Sequence, residues 1–277
     1  MGSVRTMAID MEIICVGNEL LSGKTLNTNA QWIAKQATAV GIAVKRVTVV
    51  ADDVNEIVAA IRESLERKPC FVVTTGGLGP TFDDKTLEGV AEALNRKLAV
   101  NAKALEMVRK KYEAYARERG MEKGELTPPR IKMATLPEKT EPVPNPVGTA
   151  PGVQANLKET VFIALPGVPS EMKAIFNETV VPMLMRASGK KAFHERSIYV
   201  DGVMESSLAP LIDKAMQDNQ GVYVKSHPKG RENRPHIEVH FSTTADDAES
   251  AEAKLQKAVA QLSGAIVGIG GRVLVCE

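Results

Sequence analysis

Apolar runs and helix-spaced apolar positions alternate along the first two thirds of the chain. Ile13-Ile14-Cys15-Val16 reads as a buried strand. Trp32, Ile33, Ala34 and Ala37 then recur at helical spacing within residues 27–40, and Gly41 stops that helix. Residues 44–50 form a second strand, and Asp52 or Asp53 caps a helix running through Arg67. A third strand is expected at 71–74 and a third helix at 85–95. Short apolar strands separated by amphipathic helices predict an α/β fold, a parallel sheet covered on both faces in three αβα layers.

The pattern then loosens. Residues 101–120 read as a long charged helix with Leu105, Val108, Tyr112 and Tyr115 as its inner stripe. The proline-rich passage 127–151 cannot stay helical for long. A strand at 161–164 and a helix at about 170–185 complete the layer. Composition shifts near Ala187-Ser188-Gly189-Lys190, where we place a linker. Beyond it the order becomes strand 196–201, helix 205–217, strand 222–226, strand 236–242, helix 246–262 and a short apolar end. That order predicts a small α+β split sandwich, so we expect a first domain over 10–187 and a second over 190–277.

Composition narrows the functional classes. Of 277 residues, 44% are hydrophobic and 25% charged, ordinary for a globular protein. Lys plus Arg is 35 against 34 for Asp plus Glu, a balance that argues against nucleic acid as partner. No apolar run approaches bilayer length, and the N-terminus lacks a secretory signal, so no membrane partner is expected. The opening MGSVRT fits a myristoylation pattern, but a pattern so short is set aside. Cys15, Cys70 and Cys276 are far apart and read as small hydrophobes in a reducing, cytoplasmic setting.

Candidate chemistry concentrates in TTGGLGPTFDDKT, residues 74–86, directly after an apolar run. In open parallel sheets, ligands sit outside the carboxyl ends of the strands. Loops 17–23, 51–53, 74–84 and 165–171 all leave strands there. Gly76, Gly77 and Gly79 let backbone amides approach a phosphate, and Thr75 and Thr81 add hydroxyls; alternatively the glycines serve turn geometry alone. Gly17, Pro166, Gly167 and Glu171 sit in the neighbouring loops, and Asn145, Gly148 and Thr149 in NPVGTAPGV. All are candidate phosphate contacts. Asp83 and Asp84 suit a divalent metal bridging to substrate phosphates, with Glu19 as third and Asp52 as fourth carboxylate. The competing role for each is a helix cap. His236 and His240 share a strand face but stand ~13 Å apart, too far for a zinc pair. The basic loop 226–233 reads as a solvated hairpin turn.

The ordered set GNELLSG…TNA, VADD, TGGLGPTFDDKT, NPVGTAPG and LPGVPSEM resembles the competence/damage-inducible protein CinA family, and more broadly the MoaB/Mog molybdopterin-binding fold. The resemblance spans residues 12–186, and the tail resembles the small KH-like domain of CinA proteins. It implies a metal-dependent pyrophosphatase acting on ADP-ribose or FAD-like dinucleotides, with Mg or Co as the ion and no organic cofactor. It equally implies a molybdopterin-binding or molybdopterin-adenylating protein, with molybdopterin as ligand. A non-catalytic nucleotide sensor is the third reading. In the Mog motif the essential aspartate falls on Asp84 and the strand-end aspartate on Asp52, so Asp84, Asp83 and Asp52 are the expected catalytic residues. Glu19, Asp83 and Asp84 are the expected metal ligands. Asn18 and Asn27 stand where many CinA relatives carry aspartate. The amidohydrolase domain of full-length bacterial CinA is not expected in this chain. The family's oligomeric habit and the narrow inner stripe of the charged helix lead us to expect a homodimer or larger homo-oligomer.

Overall fold

The computed structural model describes residues 9–118, 125–189, 192–229 and 236–275. In chain order, β1 (Asp10–Val16), α1 (Asn18–Leu21), α2 (Thr28–Ala39), β2 (Ala43–Val50), α3 (Val54–Glu66), β3 (Phe71–Thr75) and α4 (Thr86–Ala93) come first. β4 (Leu98–Val100), α5 (Ala102–Glu118), α6 (Pro128–Lys132), β5 (Thr135–Pro137), β6 (Glu141–Val143), β7 (Gly152–Asn156) and β8 (Val161–Leu165) follow. Then come α7 (Pro169–Ile175), a π turn at Phe176–Val180 and α8 (Val181–Ala187). β9 (Ala192–Asp201), α9 (Glu205–Asp218), β10 (Val222–Pro228), β11 (His236–Ala245), α10 (Ala248–Gly268) and β12 (Arg272–Val275) close the chain. Packing divides it into two compact units, with the break between Leu184 and Met185; Ala39–Gly41 group with the second.

The first unit is built on a six-stranded sheet of order β2-β1-β3-β8-β7-β6. The four strands read from apolar runs are mutually parallel. β7 pairs antiparallel with both β8 and β6, so the expected parallel sheet carries an antiparallel edge. β6 and β7 arise in or beside the proline-rich passage, where short turns replace helical crossovers and so reverse the chain. The same passage supplies β5, which pairs with β4 in a separate two-stranded ribbon. Alternation along the central strands buries both faces. Ile14, Val16, Val72 and Phe162 join Ile57, Ile61, Val90 and Val108 in one cluster, while Ile13, Cys15, Val73 and Ile163 are buried on the other face. On α5, Val108 is buried and Leu105 and Tyr112 pack against the same core, as the expected stripe requires, while Tyr115 is exposed and Ala104 and Ala116 are buried beside it. Tyr112 is half-buried beneath the guanidinium of Arg130, 3.7 Å from its ring centre.

Glu12 is buried on β1 and takes two hydrogen bonds from Arg67, at 2.7 and 2.8 Å. Burial alone would raise this carboxyl, but the Arg67 fork holds it below the usual range. A lowered carboxylate stabilises the fold above its unfolded pKa, and that stability is lost as pH falls through the folded value. Arg67→Ala should cost about 2 kcal/mol at neutral pH by stranding the carboxylate. The deficit should shrink as pH falls below the unfolded carboxyl value of about 4.3 and through the lower folded one, beyond which Glu12 is protonated in both states. Thermal melts of both proteins between neutral and acid pH check this; a deficit independent of pH would detach it from Glu12.

In the second unit, β10-β11-β9-β12 form a wholly antiparallel four-stranded sheet. The strand-helix-strand-strand-helix order expected is extended by β12 into β-α-β-β-α-β. Ile198, Val200, Val239 and Phe241 face Leu208, Ile212, Leu255 and Leu262 in its core. Alternation puts His236 and His240 on the other face: His236 Nδ1 lies 2.7 Å from Asp201 Oδ1, and His240 Nδ1 lies 3.3 Å from Ser197 Oγ. Cys15 is buried and Cys70 half-buried, both as free thiols. The MGSVRT pattern, Cys276 and residues 230–233 of the basic loop lie outside the described residues. Among those described, no helix is long and apolar enough to cross a membrane.

Candidate functional site

Parallel register brings four strand ends to one edge. Val16 pairs with Val50, Cys15 with Thr75, and Thr75 with Leu165. From β1 the chain passes to β2 on one side and then crosses to β3 on the other. The loops after β1 and β3 therefore flank a switch point, the place where open α/β sheets leave a crevice. A cavity of about 290 Å³ lies there. Glu19, Asp52, Asp83 and Asp84 all line it, as do Thr75, Gly76, Gly77, Thr81 and Gly167. Thr25 and residues 26–29 at the start of α2 complete much of its wall.

Each loop is held by its own polar groups. Asp53, not Asp52, caps α3, accepting from the amides of Asn55 and Glu56. Asp52 is thereby free to accept the Asn18 amide at 2.8 Å, tying the β2 loop to the start of α1. Asp84 does not cap α4, whose start carries no side-chain cap. Its Oδ2 instead accepts from the Thr81 amide at 2.8 Å and from the Thr81 hydroxyl. Lys132 donates to the carbonyls of Thr81 and Asp84, bracing the same turn. The Thr81 hydroxyl beside Asp83, and behind it the Lys132 and Lys85 cations, hold the Asp83 carboxyl below the usual range. That hydroxyl has one proton, and its close approach to Asp84 assigns the proton there. The Asp83 backbone amide and, behind it, the two lysines are then the lasting causes at Asp83.

The phosphate donors expected from the glycine loop are partly committed elsewhere. The Gly76 amide donates to Leu165 O at 3.1 Å, and the Thr75 hydroxyl to Pro166 O at 3.0 Å. Gly76 and Gly77 have φ of +110° and +65°, so the turn does require glycine. A Cβ on Gly77 would meet Thr86 Oγ1 at 2.3 Å, so an alanine there would disturb the turn itself rather than report on a ligand. Gly79 lines a neighbouring cavity, and a Cβ on it would sit 2.6 Å from Asp84 Oδ2.

Asn145, Gly148, Thr149 and Glu171 do not line the first cavity. Asn145 is buried, donates to Glu171 Oε2 at 2.7 Å, and accepts from the Val147 and Gly148 amides. A Cβ on Gly148 would overlap the Glu171 carboxylate. These bonds close the 145–150 loop upon itself, apart from the first cavity. Gly17 and Pro166 likewise act through backbone: Gly17 N donates to Val50 O, and Pro166 O accepts from Thr75. Asn29 was absent from the expected set. Its Nδ2 donates to Gly167 O at 2.8 Å and to Thr75 Oγ1 at 3.2 Å, while its Oδ1 is buried without a partner. Asn27 Oδ1 accepts the Ala30 amide and so caps α2. The run Asn27-Thr28-Asn29 carried the signal for both, as an amide pair at a helix start.

Among the described residues, no three His, Cys, Asp or Glu side chains converge closely enough to form a preformed metal cage. Glu19, Asp83 and Asp84 line one cavity without making one. The donor set nevertheless suits a hard cation: Asp52 and Asp84 each use one carboxylate oxygen within the chain, leaving the other for a ligand.

Residues 12–186 match the family model of the probable molybdopterin binding domain. A protein of Caldivirga maquilingensis is 46% identical over 252 residues, covering 90% of this chain and 94% of its own. One of Metallosphaera sedula is 41% identical over 266 residues, covering 96% and 97%. Among solved structures, the protein CinA from Thermoplasma acidophilum is 44% identical with a TM-score of 0.56, over 63% of this chain and 98% of that one.

Proposed function

Since the chain belongs to the family of the probable molybdopterin binding domain and is similar to CinA, we propose that its first unit is a metal-dependent pyrophosphatase of ADP-ribose or FAD-like dinucleotides. One observation carries this reading. Four carboxylates line the cavity, and no lysine or arginine is among its lining residues. A diphosphate beside four carboxylates is repelled unless a cation comes with it. Mg²⁺ is commonly held by one or two carboxylates plus substrate phosphates and keeps several waters, so it needs no cage of three side chains. Asp84 and Asp52 would hold the ion, with Glu19 and Asp83 adding charge. When bound, the ion supplies charge neutralisation on the phosphates. The chain's own part is to place the phosphates: the first turn of α2 lines the cavity, and a helix start favours anions. Asn29 clamps that turn to the β3 and β8 loops.

The family description favours a second reading, molybdopterin binding without hydrolysis. Incubation with ADP-ribose or FAD and Mg²⁺ or Co²⁺, followed by chromatography, separates the two. Release of AMP that stops on chelation is expected. No product from either dinucleotide with either metal would overturn the hydrolase reading.

A further inference from the structure

A second cavity, of about 390 Å³, lies beside the glycine turn. Gly77 and Asp84 line both cavities, so they are neighbours across one wall. Their chemistry differs. The second is walled by Leu78, Leu87, Leu98, Pro128 and Ile131, with Glu88 and Lys132 also lining it. Lys132 is held by two backbone carbonyls, which fixes its charge in place. No side chain can stand on the wall at position 77, because a Cβ there would strike Thr86.

We propose that this second cavity takes a flat, amino-bearing heteroaromatic ring of the ligand whose diphosphate lies in the first cavity. The proposal rests on the first cavity being a diphosphate site. Pockets that enclose whole ligands of drug size run from about 300 to 1,000 Å³, so a cavity of 290 Å³ does not hold a dinucleotide alone. The ring must go elsewhere, and the adjoining space is the one with apolar walls for its faces. The Glu88 carboxylate is an acceptor for an exocyclic amino group, a feature shared by adenine and pterin rings. Asp84 then stands at the junction of ring and diphosphate, which explains why both cavities touch it.

Leu98→Trp tests this. Leu98 is 38% exposed on the short β4 strand, so a larger side chain there fills the cavity at little cost to folding. Calorimetry with Mg²⁺ compares ADP with methylenediphosphonate, a diphosphate that carries no ring. The variant should bind ADP at least about 10-fold more weakly, near 1.4 kcal/mol, and the diphosphonate unchanged. Glu88→Gln, an exposed change on α4, should weaken ADP about threefold and spare the diphosphonate. It also serves if the tryptophan variant does not fold. ADP affinity unchanged in a folded variant, or equal loss for both ligands, would overturn the ring site while leaving the diphosphate reading intact. A parent protein that does not bind the diphosphonate would overturn both. Replacing ADP by a pterin diphosphate identifies the ring: the tighter ligand names the source.

Discussion

Asp84→Asn is expected to lower turnover in the proposed pyrophosphatase reaction at least about 100-fold, the scale of losing a group that stabilises transition-state charge. It should leave stability within about 0.5 kcal/mol. The asparagine oxygen can still accept from the Thr81 amide and hydroxyl, so the turn keeps its internal bonds. What the substitution removes is negative charge at the one carboxylate shared by both cavities. Steady-state rates and a thermal melt check the two halves together. Full activity in the asparagine variant would reduce Asp84 to a turn-forming residue.

Gly76→Ala should be the most damaging single methyl in the site. Gly76 has φ of +110°, and an added Cβ would lie 2.2 Å from the Val16 carbonyl oxygen, a backbone atom that cannot rotate away. The amide and carbonyl of Gly76 are both engaged, to Leu165 O and from Thr86 Oγ1. Relief requires moving β1 or the β3 loop, so a loss of about 2–4 kcal/mol is expected, with ligand binding lost as well. Gly79→Ala is the contrast. There the obstruction is the Asp84 carboxylate, a side chain that can swing aside. Stability should survive while turnover falls, because the displaced group is Asp84. Denaturant unfolding of both variants distinguishes them. Equal stability of Gly76→Ala and the parent would show that the close approach to Val16 is not maintained in solution.

The central strands and the place of the site were legible in the sequence because each rests on local chemistry. Runs such as Ile13–Val16 and Val161–Ala164 are apolar at every position, which suits only strands buried on both faces. A glycine turn leaving such a strand, with two aspartates behind it, makes a candidate ligand loop, and Glu19, Asp52, Asp83 and Asp84 line one cavity. Other assignments depended on partners far along the chain. Whether Asp52 or Asp53 caps α3 is decided by Asn18, 34 residues before Asp52, which engages Asp52. The hydroxyl of Thr75 is a phosphate donor by composition, yet the Pro166 carbonyl, 91 residues on, accepts its hydrogen bond. NPVGTAPG reads like the glycine turn of the site but is closed upon itself by Glu171. Asn29 enters the site because α2 is set between the β3 and β8 loops. A polar side chain announces its donors and acceptors in the sequence; which of them stay free for a ligand is decided only when distant backbone groups arrive to compete for them.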